Sequence, residues 1–420
     1  MKVLLINTND IGGGAALAAY RLMHALNQAG IEAKMLVLNK KSNDNRVKSI
    51  SSNFFNEKIN FGKFAYERFY FSRFEKDKSV RFQFSPANTG TCISRHPWVK
   101  EADVLHLHWI NFGFLSLSSL HHLFKIQKPI VWTMHDMWSF TGGCHYANVC
   151  VGFQNNCGNC PFLSNPHQQD LSHKIWNIKQ TLYQNHFPQW VACSHWLKDV
   201  AKQSSLIGNN NIVSIPNTLD QTIFKPNNKD LVRSLLNLPK DKKLILFGAS
   251  NIGDKRKGLE YFVKSLQILK TDKFDKTKDI ELIMFGKSKE SLLDFGFKVH
   301  QLPFLSQQED IAKPYQAADL FVIPSLEDNL PNTIMEALAC GTPCVGFHTG
   351  GIPEMIDHEK NGYISTYKSE KSLAEGIYKT LYEYDAKVLS QNAVEKVNSC
   401  YSNPIVTQKY ISLYNSLLNK

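Results

Sequence analysis

The chain has 420 residues, 43% of them hydrophobic, and 48 lysines and arginines set against 37 acids give a formal charge of +11. That length exceeds what one core usually supports and predicts two domains of about 200 residues. No apolar run reaches the roughly 18–20 residues that cross a bilayer, and Met1–Ile6 leads into a strand instead of a secretion signal, so a cytoplasmic chain is expected. The positive charge favours an anionic partner, whether a nucleotide diphosphate, an acidic membrane face or nucleic acid, without choosing among them.

Val3–Ile6 reads as a strand, Asp10–Ala15 as a turn, Ala16–Ala29 as an amphipathic helix closed by Gly30, and Glu32–Leu38 as the next strand. Together they make a βαβ unit. Gly12-Gly13-Gly14 does not have the G-x-G-x-x-G spacing of a dinucleotide fingerprint, which argues against a dehydrogenase. It is either a plain tight turn or one whose missing side chains let a phosphate or an acceptor approach the backbone.

Phe54–Phe84 combines aromatics, among them Phe54, Phe55, Phe61, Phe64, Phe69, Tyr70, Phe71 and Phe74, with Lys58, Lys63, Arg68 and Arg73. Such a segment can lie on an anionic membrane or pack its rings on the domain; packing is the expectation, because aromatic stripes more often fill cores. Strands follow at Val104–Leu107, Ile130–Met134 and Gln189–Ala192. His106, His108 and Trp109 end the first of these and are expected to line a cleft, while His135-Asp136 ends the second. A lone histidine is more often structural than catalytic.

Four of the nine cysteines fall within Cys144-x5-Cys150-x6-Cys157-x2-Cys160. They can fold around a structural, non-catalytic zinc or remain free thiols; disulfides do not suit a reducing cytoplasm. A domain boundary is placed at Ile215–Asp220, giving domains 1–214 and 215–402, and Asn403–Leu418 has a helical pattern. The second half restarts with the strand Lys243–Phe247 and the helix Leu259–Lys270. Ile280–Phe285, Leu320–Ile323 and Pro343–Gly346 are strands, with helices Ile311–Ala318 and Thr333–Ala339 between them. Such alternation implies parallel sheets whose ligands bind at the carboxyl edges.

The richest stretch is Pro324–Ile356. A buried strand ends at Pro324, and Asn332 or Thr333 is expected to cap the helix that follows, with Glu336 in its first turn and Gly341 and Pro343 ending it. The backbone of Asn329, Leu330, Pro331, Asn332 and Thr333 would then offer unpaired amides to an anion, flanked by the carboxylates of Asp328 and Glu336 as acceptors for sugar hydroxyls. The plain alternative is a turn acid and a helix-dipole acid. Upstream, Asp254-Lys-Arg-Lys-Gly258 puts three cations after a strand end, where a departing diphosphate needs positive charge; otherwise they are a solvated face.

Pro324, Ser325, Glu336, Ala337, Ala339, Gly341 and Pro343, then Gly350, Gly351 and Glu354, resemble the pattern P-S-x-x-E-x7-E-A-x-A-x-G-x-P … G-G-x-x-E of the family 4 retaining glycosyltransferases. The resemblance spans nearly the whole chain and is strongest from Pro324 to Glu354. The family's first glutamate falls on Asp328, one carbon shorter, with Glu327 beside it. The resemblance implies a GT-B fold: two Rossmann-like domains facing across a cleft, the first for the acceptor, the second for the nucleotide sugar, and the terminal helix 403–420 crossing back to the first. It assigns the donor sugar to Asp328, the ribose to Glu336, the diphosphate to Lys257 with Arg256 or Lys255 in place of an arginine that falls on Asn251, a donor contact to His135, and a phosphate-side glycine pair to Gly13 and Gly14. Asn217 and Asp220, in a linker pattern of the family, are expected to stabilise a hinge.

The implied activity is metal-independent transfer, with retention, to a saccharide or lipid-linked saccharide in surface polysaccharide biosynthesis, needing no cofactor beyond the nucleotide-sugar substrate. Peripheral contact with an anionic membrane is compatible with this, and nucleic acid is not a partner. Two alternatives remain: a nucleotide-sugar epimerase of the same architecture, and a zinc-containing nucleic-acid-binding protein, which leaves the acid pair unexplained.

Overall fold

The computed structural model describes residues 1–51, 54–251, 253–272, 274–287, 294–303, 305 and 307–419. Among these, the backbone forms two all-parallel sheets. The first contains β1 (Lys2–Asn9), β2 (Glu32–Asn39), β3 (Val47–Ser49), β4 (Val104–Leu107), β5 (Ile130–Met134), β6 (Gln189–Ala192) and β7 (Ile212–Ser214), in the order β3-β2-β1-β4-β5-β6-β7. The second contains β8 (Lys243–Asn251), β9 (Ile280–Lys287), β10 (Val299–Gln301), β11 (Leu320–Ile323), β12 (Cys344–Phe347) and β13 (Gly362–Ser365), in the order β10-β9-β8-β11-β12-β13. β4, β5, β11 and β12 are buried at every residue, as strands covered on both faces must be, and this is why they read as unbroken apolar runs.

In each sheet the strand order reverses beside the first strand, at β1/β4 and at β8/β11, where Leu5 pairs with His106 and Leu246 with Phe321. A reversal splays the following loops apart and leaves a crevice at the carboxyl ends, so each sheet has one place built to take a ligand.

The chain divides into two compact units, 1–216 with 407–420 and 217–406. The principal helices are α1 (Gly14–Gln28), α2 (Phe54–Ser72), α3 (Leu259–Asp272), α4 (Asn332–Ala339), α5 (Ile352–Met355) and α6 (Asn403–Leu418). The end of α6 is tied into the first unit by two tyrosines: Tyr414 Oη lies 2.7 Å from His106 Nδ1 and Tyr410 Oη 2.9 Å from Thr133 Oγ1. No helix among the described residues is long and apolar enough to cross a membrane.

Two expectations are corrected here. α4 begins one residue earlier than its capping residues suggested: Pro331 occupies the N-cap position without a side-chain bond, and Asn332 is already helical. Glu336 therefore lies beyond the first turn. The rings of α2 fill the core only in part: Phe71 is buried there with Tyr70 packed against it, whereas Phe54, Phe55, Phe61, Tyr66 and Phe69 are exposed.

Candidate active site

In the second unit the loops after β8 and β11 are stitched together. The Leu326 N–H donates to the Arg256 carbonyl at 2.7 Å, and Gly258, at φ 68°, sits so close that a Cβ there would lie 1.9 Å from the Pro324 carbonyl oxygen. A third loop, after β12, closes on the same point. Gly350, at φ 56°, would bring a Cβ within 1.7 Å of the Asp328 carbonyl oxygen, and the Gly351 N–H lies 3.3 Å from that oxygen. Only glycine combines the left-handed backbone with this approach.

The result is a juxtaposition of charges at the sheet's switch point. Lys257 Nζ lies 2.7 Å from Asp328 Oδ2, both side chains partly accessible. Arg256 turns instead to Asp254, Nη2 to Oδ2 at 2.7 Å. Glu327 is half-buried, and that burial raises its carboxyl pKa. Glu336 is only 4% exposed and accepts from Tyr315 Oη at 3.2 Å; the burial that surrounds the pair, together with the Glu336 charge, pushes the phenol up. Asn332 Oδ1 accepts from Asn217 Nδ2 at 3.0 Å, and Asp220 accepts from the Thr222 N–H at 2.8 Å. Asn329 and Leu330 are buried, and Thr333 is partly exposed. Pro331 has no N–H and cannot donate, which corrects its place among the anion-binding amides. The side chain of Asn251 is outside the described ones.

In the first unit Gly13, at φ 107°, caps α1, whose first residue is Gly14; a Cβ on Gly13 would meet nothing within 4 Å, so the turn is open. Buried Asp10 fixes it by accepting from the N–H groups of Ile11, Lys41 and Ser42 at 2.8–2.9 Å. His106 and His108 are buried, so their expected place as cleft lining is corrected. Partly exposed His135 receives His108: Nδ1 of His108 lies 3.0 Å from Nε2 of His135. Burial holds all three rings below the ordinary histidine range, His106 to about 3 and His135 to about 4.

A neighbouring cluster escaped the sequence reading. Asp136 Oδ2 lies 2.7 Å from His145 Nδ1 and accepts from Trp109 Nε1 at 2.9 Å. Burial works to raise Asp136, but the His145 ring, the Trp138 N–H and the Trp109 indole together hold its pKa below the usual range. The only sequence signal was Asp136 beside His135; its partner lies nine positions on, across an irregular loop.

Cys144, Cys150, Cys157 and Cys160 do line one small cavity, and all four are free. Burial raises the thiol pKa of Cys144, that of Cys157 to about 11 and that of Cys160 to about 12, and the four side chains pack in or against the apolar core. No three His, Cys, Asp or Glu side chains among the described residues are placed as a metal site, and a structural zinc is not supported.

Two all-parallel sheets with charged switch-point loops define a class. The sucrose-phosphate synthase of Thermosynechococcus elongatus superposes over 100% of this chain and 99% of its own, at TM-score 0.65 and 17% identity. Anabaena HepE, solved with UDP and glucose, does so over 99% and 100%, at TM-score 0.66 and 15% identity. The fold is that of the GT-B glycosyltransferases. The model of Glycosyltransferase Family 4 matches residues 12–222 and that of Glycosyl transferases group 1 matches residues 242–383. The chain belongs to the family 4 glycosyltransferases, and it is a glycosyltransferase.

Among its relatives, the putative colanic acid biosynthesis glycosyl transferase WcaC of Escherichia coli K12 is 25% identical over 341 residues, 76% of this chain and 77% of that one. The N,N'-diacetylbacillosaminyl-diphospho-undecaprenol α-1,3-N-acetylgalactosaminyltransferase of Campylobacter jejuni is 30% identical over 116 residues, 27% of this chain and 31% of that one. Neither match favours a nucleic-acid binder.

Proposed function

We propose that the enzyme moves a sugar from a nucleotide-sugar donor, with retention of anomeric configuration and without a divalent metal, to a saccharide or lipid-linked saccharide acceptor in surface polysaccharide assembly. The second unit holds the donor and the first the acceptor. The observation that carries this reading is the Lys257–Asp328 pair, poised at the β8/β11 switch point under the Gly350-Gly351 turn.

A donor entering there would exchange the pair's mutual contact for its own. Lys257 would take the diphosphate, and Asp328, released, would accept sugar hydroxyls. Glu336 would hold the ribose, with Gly13 and Gly14 opening the first unit's turn and His135 as a further donor contact. The bond between the anomeric carbon and the phosphate oxygen breaks, and its electron pair leaves with the nucleoside diphosphate. The acceptor oxygen bonds to the same face of that carbon, and its proton passes to the departing phosphate. Cationic side chains can carry the charge that a divalent ion carries in other enzymes, and a charge preorganised in a cleft is effective because it needs no rearrangement as the bond breaks.

The names of the relatives support the acceptor class: colanic acid in one, a diphospho-undecaprenol-linked sugar in another. HepE, solved with UDP-glucose, favours a UDP donor as the first to test. A thermal-shift screen of UDP-, GDP- and ADP-sugars tests it, since a ligand at 100 times its Kd adds about 2.7 kcal/mol of stability. Stabilisation by one nucleotide series, lost in Lys257→Ala, is the expected result. No response to any series, or product formed from donor alone by epimerisation, would overturn the reading.

A further inference from the structure

Helix α2 reverses the usual polarity of a surface helix. Its protein-facing side carries Asn60, Glu67 and Arg68, all buried, together with Phe71. Glu67 accepts from Arg68 Nη2 at 2.6 Å, Ser85 Oγ at 2.5 Å and the Gly113 N–H at 2.8 Å, while Arg68 Nη1 donates to the Phe84 carbonyl at 2.9 Å. A docked polar network of this kind fixes the helix in one rotation, because turning it would leave a buried carboxylate and guanidinium unpaired.

What that rotation presents to solvent is apolar. Phe54, Phe55 and Phe61 are 70, 71 and 69% exposed, and Phe69 is 57% exposed. Phe55, Ile59, Gly62, Tyr66 and Phe69 follow helical spacing along one stripe, with open space at Gly62 that leaves the ridge low. Cations adjoin its rings: Lys58 Nζ lies 4.4 Å from the Phe54 ring and the Arg73 guanidinium 4.4 Å from the Phe69 ring, against exposed Glu57 on the same helix.

We propose that this face of the first unit docks on the surface of an anionic lipid bilayer, its rings at the boundary between headgroups and acyl chains and its cations among the phosphates. Aromatic rings with adjacent lysine and arginine suit that boundary, where the ring is half-desolvated and the charge stays hydrated. An excess of basic groups beside the rings favours acidic lipid and disfavours a second copy of the same face. The proposal rests on the lipid-linked acceptor for its purpose but not for its test.

The test is flotation with vesicles of phosphatidylglycerol and phosphatidylethanolamine, against phosphatidylcholine alone, at low and high salt. The whole chain should float with the anionic vesicles at low salt. Lys58→Gln and Arg73→Gln should each weaken partitioning roughly fivefold, and Phe55→Ser combined with Phe61→Ser and Phe69→Ser should abolish it. Circular dichroism and the nucleotide-sugar thermal shift of each variant should match the parent, which separates loss of docking from loss of fold or of donor binding. No flotation of the parent at low salt, or flotation unchanged in the triple variant, overturns the proposal. So does a ring-dependent dimer that ignores lipid, which would make the face an interface between copies.

Discussion

Lys257 Nζ and Asp328 Oδ2 meet at 2.7 Å although 71 positions separate the two residues in the chain. Both side chains remain partly accessible, at 32 and 16%, so the pair contributes little to folding, on the order of 0–1 kcal/mol. An ion pair that stabilises so little, held where three loops converge, is better explained by what it offers a ligand.

Lys257→Ala should therefore lower kcat/KM by about 10²–10³-fold while leaving the melting temperature nearly unchanged, the magnitude seen when a preorganised charge stabiliser is lost. Asp328→Ala should act chiefly on the sugar, so steady-state kinetics with the full donor and binding of the free nucleoside diphosphate should part company: the first falls, the second holds. Equal loss of both would place Asp328 on the nucleotide.

Gly350 tests the same site through the backbone. Gly350→Ala must accommodate φ 56° and a Cβ 1.7 Å from the Asp328 carbonyl oxygen, so the Asp328 loop has to move. A cost of about 1–3 kcal/mol in stability is expected from the strain, together with a rise in donor KM. Thermal denaturation and donor titration check the two parts separately, and an unchanged KM would mean that the loop position is not what positions the donor.

The strands that were legible end to end, β4, β5, β6 and β11, are short runs buried on most or all residues, where pattern and burial coincide. The three- and four-residue edge strands β3, β7, β10 and β13 were not, because their runs are too brief to carry a period. At the site, Asp328 stood out by its spacing from Glu336. Its contact with Lys257 was not legible, since only the fold brings loops so distant in the chain together. The aromatic face of α2 failed for a different reason: a helical stripe shows which residues share a side, while the direction it faces was decided by Glu67 and Arg68, two charges that local pattern would leave in solvent.

Glu336 is buried against Tyr315, and removing its carboxylate should loosen the Tyr315 hydroxyl and, if the proposed donor site is right, deprive the ribose of an acceptor. A charge-assisted hydrogen bond contributes about 1.5–3 kcal/mol, so Glu336→Ala should raise donor KM and cut turnover by more than tenfold. Tyr315→Phe removes only the internal bond and should cost far less activity. If the two variants prove equally impaired, Glu336 acts by supporting the helix and not by touching the donor.

The histidines of the first unit set an acid limit. His106 is brought from 6.5 to about 3 and His135 from 6.5 to about 4 by burial, and His108 moves in the same direction. Between the unfolded value near 6.5 and these folded values, the unfolded chain binds more protons than the folded one, so stability rises with pH across that window and is lost as pH falls through it. Each such ring can contribute up to about 1.4 kcal/mol per pH unit. His106 sits between Thr133 Oγ1 at 2.7 Å and Tyr414 Oη at 2.7 Å, contacts that a glutamine amide can approximate without titrating. His106→Gln should accordingly flatten the fall in melting temperature between pH 6.5 and pH 4 relative to the parent. A slope identical to the parent's would show that the ring gains its proton without opening the link between β4 and α6.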